Sequence, residues 1–454
     1  MRRESGDHMV GAADFDVQGF LDRHLFSRFQ WLVFALCFLV ALLDGFDTAV
    51  IGYIAPSLLK EWGLTRPELT PVLSAAPYGL ILGALASGPL ADRLGRRWML
   101  IGSVTLFGLF CLGSSTATSL SGLAVWRFFT GIGLGAAMPN AITMLSEYCP
   151  AARRSFLTNA MFCGFPVGAA LGGFLANALI PAYGWRGVLV LGGAAPLALA
   201  AAILAGMPES VRFLAARNSA DARIGAALAK IAPLPAGPLA FRVGEQTASG
   251  GLALVLSRPY VLGTLMLWLT YFMGLVIFYG IISWLPVLLK EAAGVDDSTA
   301  RLIGAMFPLG GVGAIASGWL MDRFNGNAII AIGYLLTGLL IFAIGQSVGD
   351  VTLLFGAVFL GGAFMNTCQS SMGSLAAGFY PTAGRATGVA WMLGIGRFGG
   401  IAGPLLVGAL TAQKAGFAGI LTVLAVPGFI AAAALGVKYL ASSARIDGPA
   451  PALS

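Results

Sequence analysis

Four charged side chains lie deep inside long apolar stretches of this sequence: Asp44, Asp47, Arg127 and Arg397. A charge at the centre of a helix in a lipid bilayer costs about 2.5 to 3.5 kcal/mol on insertion scales, so four isolated charges would be hard to tolerate. Two acids and two bases can instead neutralise one another or line a water-filled cavity. We therefore expect these residues to form a functional site inside a membrane.

The two acidic residues of this set suit reversible binding of a proton. Asp44 and Asp47 are three residues apart, so they are separated by about 60° around a helix and can face the same cavity. Two carboxylates this close repel each other, which favours a bound proton on one, while a nearby arginine favours the charged form of the other. Both histidines of the sequence, His8 and His24, precede the first apolar stretch. The proton is therefore the expected coupling ion.

The apolar stretches that carry these charges are long enough to cross a membrane as helices. The sequence has 454 residues, of which 57% are hydrophobic and 10% are charged, whereas an ordinary soluble domain has about 25% charged residues. About 20 apolar residues span a bilayer, and barrel strands would give shorter alternating runs. We predict an all-α integral membrane protein with twelve transmembrane helices. The predicted spans are 31–54, 69–90, 99–118, 123–145, 156–180, 188–207, 260–288, 300–321, 328–348, 351–372, 386–410 and 418–440.

A polar stretch between the sixth and seventh spans divides the chain into two six-helix halves. We predict an N-terminal segment at 1–28, a six-helix bundle at 29–207, an inter-domain loop at 208–258, a second bundle at 259–440 and a tail at 441–454. This threading puts most of the 27 Lys and Arg residues on the cytoplasmic side, as the positive-inside rule requires. The polar start lacks the features of a cleaved signal peptide. We therefore expect a multi-pass protein of a bacterial cytoplasmic (inner) membrane with both termini cytoplasmic.

Several other kinds of site are not supported by the residue patterns. The five cysteines are scattered, so neither a disulfide framework nor a metal site is expected. Residues 394–399 fit GxGxxG and residues 345–349 fit GxSxG, but these lie within or at the end of an apolar span, with no histidine near to act as a base. No lysine has the context of a phosphate-binding loop. We therefore expect no cofactor, no nucleic-acid partner and no enzyme activity, and a proton gradient as the energy source.

A short motif occurs at equivalent places in the two halves. Residues 88–93 and 318–323 share the pattern G-x-L-x-D-R, and each ends the second span of its half. Parallel internal repeats are typical of secondary transporters whose site lies near the membrane midplane. Residues 88–97, GPLADRLGRR, resemble the cytoplasmic loop signature of the major facilitator superfamily. The resemblance implies the fold of that superfamily and transport by alternating access.

The charges of this motif suit a lock between helix ends rather than substrate contact. Asp92 can pair with the arginines that follow it and with helix dipoles. The resemblance adds Glu147, at the end of the fourth span, as a partner of those arginines, and binding to lipid headgroups is the alternative. The second copy departs from the pattern after Arg323, so its lock should be weaker. The predicted gating residues are Asp92, Arg93, Arg96, Arg97, Glu147, Asp322, Arg323 and Arg385.

Two further segments resemble the proton-coupled sugar porters of the superfamily. Residues 45–51, GFDTAVI, are similar to their first span, and residues 127–135, RFFTGIGLG, resemble their fourth-span arginine motif. The resemblance implies that Asp47, assisted by Asp44, carries the proton, and that Arg127 is the partner whose charge is satisfied or released as Asp47 titrates. A permanent buried ion pair that fixes helix packing is the alternative.

The first span also carries a more specific motif. Residues 44–47, DGFD, are identified as the D-G-x-D signature of the aromatic acid:proton symporter family, and residues 208–214, 283–286 and 380–397 resemble that family as well. The resemblance implies symport of protons with a small aromatic carboxylate. The expected substrate is a hydroxylated benzoate such as 4-hydroxybenzoate or protocatechuate, imported by a protein that functions as a monomer in the lipid bilayer.

The residues within the spans are compatible with such a substrate. An aromatic carboxylate needs a cation for its carboxyl group, flat apolar walls for its ring and hydrogen-bonding groups for its ring hydroxyls. Arg397 supplies a cation in the second half. The predicted substrate-binding residues are Arg397, Arg127, Tyr271, Phe278, Tyr279, Asn366, Gln369 and Trp391. For each aromatic residue, packing against lipid or the core is the alternative interpretation.

Other functions fit the sequence less well. A sugar needs many amide and carboxylate partners, whereas Gln369 is the clear glutamine within a span. Drug and proton antiporters carry a Gly-Pro-x-x-Gly-Gly turn in the fifth span, and here residues 165–166, Phe-Pro, are separated from Gly172 and Gly173. A sensor without flux would need a signalling domain that the loop at 208–258 does not supply. Transport of another organic acid or sugar, and sensing without flux, stay open as alternatives.

Overall fold

The computed structural model describes residues 13–235, 237–242, 251–292, 294–313, 323–347, 349–380 and 382–446. Long helices dominate this part of the chain. In the first half a strand, β1 (Ala13–Asp16), is followed by α1 (Val17–Arg23), α2 (Arg28–Trp62), α3 (Thr70–Leu94), α4 (Arg96–Ser115), α5 (Leu120–Glu147), α6 (Arg154–Phe162) and α7 (Gly164–Gly206).

The connection between the halves has its own short elements, and the second half is again helical. The connection holds α8 (Val211–Arg217), α9 (Ala222–Leu228), strand β2 (Leu239–Arg242) and α10 (Gly251–Val255). The second half consists of α11 (Val261–Ala292), α12 (Asp297–Leu309), α13 (Gly326–Gln346), α14 (Val351–Phe379), α15 (Thr382–Ala412) and α16 (Phe417–Ile446). Short 3-10 turns lie at Arg66–Leu69, Ala151–Arg153 and Gly310–Gly313.

Within the described ranges, 10 helical segments are long and apolar enough to cross a membrane. One of them, Phe156–Gly206, has 51 residues, about twice what one crossing needs. Its backbone turns at Gly184, which has φ 66° and ψ 179°, so this segment supplies two crossings. The predicted eighth span begins as α12 and continues to Gly313, where the described range ends. The helical membrane fold is confirmed, and its helices are consistent with twelve crossings.

The sequence alone did not reveal a small two-stranded sheet. Strands β1 and β2 pair in parallel, with Ala13 opposite Leu239. The rings of Phe15 and Phe241 meet edge to face at 5.5 Å, and Phe20 packs beside them. The strands are four residues each and more than 200 positions apart, so no local periodicity could predict their pairing. The sheet joins the N-terminal segment to the loop between the halves.

Each half is held together by close helix packing. In the first half α2 packs along α7 and α3 along α5, while in the second half α11 packs along α15 and α13 along α16. At Gly45 a side chain would collide with the backbone carbonyl of Phe165, and at Gly362 with that of Phe307. Small residues at such positions let helix backbones approach closely in a membrane.

The two halves also contact each other directly. We call the membrane face that carries residues 13–27 the amino-terminal face, and the other the opposite face. On the way to the opposite face α2 contacts α11, α7 contacts α12, and α3 contacts α15. Gly52 of α2 lies against the backbone carbonyl of Ile282 in α11. Arg301 of α12 donates a hydrogen bond to the side-chain oxygen of Asn177 in α7 at 3.3 Å. These contacts join the two halves toward the opposite face.

Candidate functional site

A buried ion pair joins two helices of the first half. Arg127 of α5 donates from Nη1 to Oδ1 of Asp47 and from Nη2 to Oδ2, both at 2.8 Å. Its Nη2 also reaches the backbone oxygen of Asp47 at 3.1 Å. Neither side chain is exposed. Such a two-point contact uses both carboxylate oxygens and fixes the geometry of the pair.

Asp44 lies one turn of α2 from this pair and is not satisfied in the same way. It is 5% exposed, and its Oδ1 has no hydrogen-bond partner within the described part of the chain. The charge of Arg397, on α15 of the second half, lies within electrostatic range of Asp44, as does Asp47. Thr48 lies beside Asp44 on the same helix. A buried carboxylate oxygen without a donor is costly, so this position calls for a proton or a ligand.

Two tyrosines of α11 lie near the charges of Asp44 and Arg397. Tyr279 lies within electrostatic range of both charges and beside Thr48. Tyr271, two turns away, lies near Arg397 as well and packs against Gly396. Tyr279 thus lies near both the cation of the second half and the acid of the first. The structure places Asp44, Arg397, Tyr271 and Tyr279 near one another, and their role in one site stays a prediction.

Phe278 contributes to the contact between the halves. It is 4% exposed. Its ring centroid lies 5.8 Å from that of Phe165 in the first half and 5.4 Å from that of Tyr279. Phe278 therefore forms an apolar wall next to the charges while it packs against the opposing half.

Gln369 belongs to a polar group that the sequence revealed only in part. Its Oε1 accepts a hydrogen bond from the hydroxyl of Tyr334 at 2.7 Å, and its Nε2 donates to the backbone oxygen of Tyr271 at 3.5 Å. Tyr334 was not predicted, because a single tyrosine in the apolar ninth span gives no signal by itself. A polar residue on α14 facing a hydroxyl on α13 becomes visible only when the helices are packed.

Two of the predicted substrate residues make other contacts. Asn366 donates its amide hydrogens to the backbone oxygens of Phe307 at 3.1 Å and Gly362 at 2.8 Å, so its donors hold α14 against α12. Trp391 is 43% exposed and stacks on Trp268, with centroids 6.0 Å apart. Six residues from Arg397, it points about 120° away around the helix. A substrate contact of either residue stays a prediction.

The charged motif at the amino-terminal face makes one contact that was expected and two that were not, and its gating role stays a prediction. Arg96 pairs with Asp92 at 2.9 Å. The backbone N–H of Arg97 donates to Glu209 at 3.0 Å, and Arg217 donates to the backbone oxygen of Arg93 at 2.6 Å. Glu209 lies in the loop between the halves and was not predicted as a partner.

Glu147 was predicted to pair directly with the motif arginines. It is buried and accepts a hydrogen bond from the hydroxyl of Ser210, while Arg96, Arg154 and Arg212 lie only within electrostatic range. The sequence could not show that the loop after α7 folds back over the end of α5. Of the other predicted gating residues, Asp322 lies outside the described residues, and Arg323 and Arg385 are exposed.

The structure buries two further cations that the sequence placed at span ends. Lys438 of α16 is 4% exposed; its Nζ donates to the side-chain oxygen of Asn327 at 2.6 Å and lies 4.6 Å from the centroid of Phe379. Arg301 is 3% exposed, and its Nε and Nη1 have no partner among the described residues. Both lie far along the chain from Asp44 and Asp47, and both make contacts between helices.

Two packed helical halves that bury charges of both signs within membrane-spanning helices define a membrane transporter of the alternating-access type. The sequence profile of the Major Facilitator Superfamily matches residues 37–348 and 289–452. The chain therefore belongs to the Major Facilitator Superfamily, as the loop motif predicted.

Individual relatives agree with this assignment. The chain is 50% identical over 434 residues to the 4-hydroxybenzoate transporter PcaK of Pseudomonas putida, covering 94% of this chain and 97% of that protein. It is 47% identical over 426 residues to a gallate transporter of Pseudomonas putida, covering 93% and 95%. Among solved structures, a D-xylose–proton symporter shares the fold with a TM-score of 0.70 at 20% identity, covering 89% of this chain and 97% of that one. The expected kinship with aromatic acid transporters is confirmed.

Proposed function

We propose that this protein imports a hydroxylated benzoate, with 4-hydroxybenzoate the first candidate, together with a proton across the bacterial cytoplasmic membrane. The names of the relatives at about half identity support the substrate class. The observation that carries the proposal is that Asp44 of one half, whose Oδ1 has no hydrogen-bond partner among the described residues, lies within electrostatic range of Arg397 of the other half. The amino-terminal face is then cytoplasmic and the opposite face external. One chain contains every residue of the site, which fits a functional monomer.

The coupling follows from charge balance at this pair. Without substrate, the negative Asp44 and the positive Arg397 neutralise each other. When the substrate carboxylate binds Arg397 through two hydrogen bonds, Asp44 loses its counter-charge and takes up a proton. The net charge of the site stays the same, so an anion and a proton enter together. If the anion or the proton bound without the other, an unpaired charge would be left in the membrane, which is unfavourable.

Asp47 has a different part in this proposal. Both of its carboxylate oxygens are already held by Arg127 at 2.8 Å, whereas Oδ1 of Asp44 has no partner among the described residues. The geometry thus favours Asp44 as the carboxylate that exchanges the proton, and Asp47 as the residue that positions α2 against α5. This reverses the division of roles that the resemblance to sugar porters implied.

The rest of the site suits an aromatic ring. Tyr271 and Tyr279 flank Arg397, and Phe278 supplies a buried apolar wall. The amide of Gln369 lies between Tyr334 and Tyr271 and offers hydrogen bonds for a ring hydroxyl. Aromatic walls with a few convergent polar groups are typical of sites for small ring compounds.

The same geometry supports alternating access. The halves are joined toward the external face by the contact of Gly52 with Ile282 and by the bond from Arg301 to Asn177. Separation of these contacts would expose the site to the outside.

Uptake by purified protein in liposomes tests this function. A labelled panel of benzoate, 4-hydroxybenzoate, protocatechuate, gallate and a neutral sugar is supplied with and without an imposed proton gradient, acidic outside. We expect accumulation of hydroxylated benzoates only with the gradient, and none of the sugar. Equal uptake with and without the gradient would exclude proton coupling, and uptake of the sugar alone would exclude the substrate class.

A further inference from the structure

A cleft of about 510 Å³ opens at the opposite face where the two halves meet. Its residues come from both halves: Arg66 and Pro67 precede α3, Leu288 belongs to α11, and Thr411, Lys414 and Phe417 surround the turn from α15 to α16. A volume of about 300 to 1,000 Å³ is usual for sites that hold small molecules. The cleft lies at the end of α11, whereas Arg397 lies near the middle of α15, so it is separate from the central site.

The lining of this cleft matches the chemistry of a small aromatic carboxylate. Two cations of opposite halves, the half-buried Arg66 and the exposed Lys414, converge on it. Leu288 and Phe417 are almost fully buried and provide an apolar wall. Thr411, 7% exposed, donates its hydroxyl to the backbone oxygen of Gly408 at 2.7 Å. A carboxylate would contact the cations while its ring covers the wall.

We propose that this cleft is a second binding site, which captures the aromatic carboxylate at the external face before it reaches Arg397. The external orientation and the substrate class rest on the proposed function. Because the cleft is built from both halves, it is complete only while the external ends of the halves are together. When those ends separate, Arg66 and Lys414 move apart and release the anion beside the opening path.

Lys414 offers a substitution that preserves the fold. It is the one non-glycine residue with positive φ in the described part of the chain, at 58°. Residues with a side chain rarely adopt this backbone conformation, whereas glycine adopts it freely. Lys414→Gly therefore removes the ammonium group and relieves the backbone at the same time, so that a loss of binding cannot come from unfolding.

Lys60 is a matched control on the same face. It is exposed and lines a neighbouring, smaller cleft of about 220 Å³. The other cation there, Lys290, is paired with Asp297 at 2.7 Å. Lys60→Gln removes one positive charge from the external face without changing the larger cleft, and so reports the effect of overall surface charge.

The experiment measures equilibrium binding of labelled 4-hydroxybenzoate to the full-length purified protein with Arg397→Gln in every variant. We expect weak residual binding. Its affinity should fall about fivefold with Lys414→Gly and with Arg66→Gln, because ion pairs open to water contribute little binding energy. It should change less than twofold with Lys60→Gln. Absence of residual binding, or equal losses with Lys60→Gln and Lys414→Gly, would overturn the proposal. Displacement of the label by phosphatidylglycerol would also overturn it, because the cleft would then hold lipid headgroups.

This experiment gives different results if the proposed function is wrong and if the second site is wrong. If Arg397 does not hold the substrate, the protein with and without Arg397→Gln binds equally, and the Lys414 and Arg66 variants still report on the cleft. If the cleft does not bind 4-hydroxybenzoate, the substitution Arg397→Gln still removes the tight binding that the wild-type protein shows.

Discussion

Arg127 holds both carboxylate oxygens of Asp47 at 2.8 Å, and neither side chain is exposed to solvent. The contact joins α2 to α5 inside one half, so it can persist while the two halves move relative to each other. The neighbouring acid, Asp44, lies within electrostatic range of Arg397 of the other half. Two aspartates one turn apart thus have different surroundings, because Asp47 is held by Arg127 whereas Oδ1 of Asp44 has no hydrogen-bond partner among the described residues.

The first prediction concerns Asp47→Asn. This change leaves the guanidinium of Arg127 buried without its counter-charge. Removal of one partner of a buried ion pair lowers the free energy of unfolding by about 3 to 5 kcal/mol. We expect a lower melting temperature in detergent and loss of accumulation against a gradient. The double variant Asp47→Asn, Arg127→Gln should recover part of the stability, because no charge is then left unpaired. Normal uphill uptake by Asp47→Asn would contradict the assignment of this pair.

Asp44→Asn should separate transport from proton coupling. The amide keeps the shape of the side chain and cannot exchange a proton. We expect exchange of labelled for unlabelled substrate to continue while uptake no longer responds to an imposed proton gradient, with little change in melting temperature. Asp92→Asn, which removes a carboxylate from the lock, serves as the control and should slow uptake without uncoupling it. Gradient-driven accumulation by Asp44→Asn would show that the proton is carried elsewhere.

Arg397→Lys tests the anchor of the carboxylate. Lysine keeps the positive charge but loses the planar fork that binds a carboxylate at two points. We expect binding of 4-hydroxybenzoate to weaken about tenfold, as for the loss of one charge-assisted hydrogen bond, measured by equilibrium binding to purified protein. Lys438→Arg, a change in a buried cation outside the site, should leave the affinity unchanged. Equal affinity of Arg397→Lys and wild type would remove Arg397 from the site.

Gly52→Ala should prevent closure of the opposite face. A methyl group at this position collides with the backbone carbonyl of Ile282, which belongs to the other half. We expect a longer distance between fluorophores attached at positions 60 and 414, both exposed on that face, and slower uptake.

Gly102→Ala is the control for this change, because the added methyl group meets no atom within 4 Å. It should leave both the distance and the uptake rate unchanged. An unchanged distance in Gly52→Ala would mean that this helix contact does not hold the halves together.

Much of this protein can be predicted from the sequence, because the membrane imposes strong and local rules. Apolar length predicts each crossing, and a charge in an apolar helix is rare enough to identify Asp44, Asp47, Arg127 and Arg397 as a set. The loop motif at 88–97 predicted the superfamily, which the family profile confirmed. These signals lie within a few residues of each other and do not depend on how the helices pack.

Tertiary structure decided which groups meet. Nothing local distinguishes Asp47, held by Arg127 on another helix, from Asp44, whose Oδ1 is left without a partner in the described chain. The same holds for Tyr334 with Gln369, and for Glu209 with the backbone of Arg97. These contacts join residues far apart in the chain, and their geometry depends on helix rotation and crossing angle. The sequence thus determines that charges and polar groups are buried, and packing determines which of them are satisfied and which remain available for a proton or a substrate.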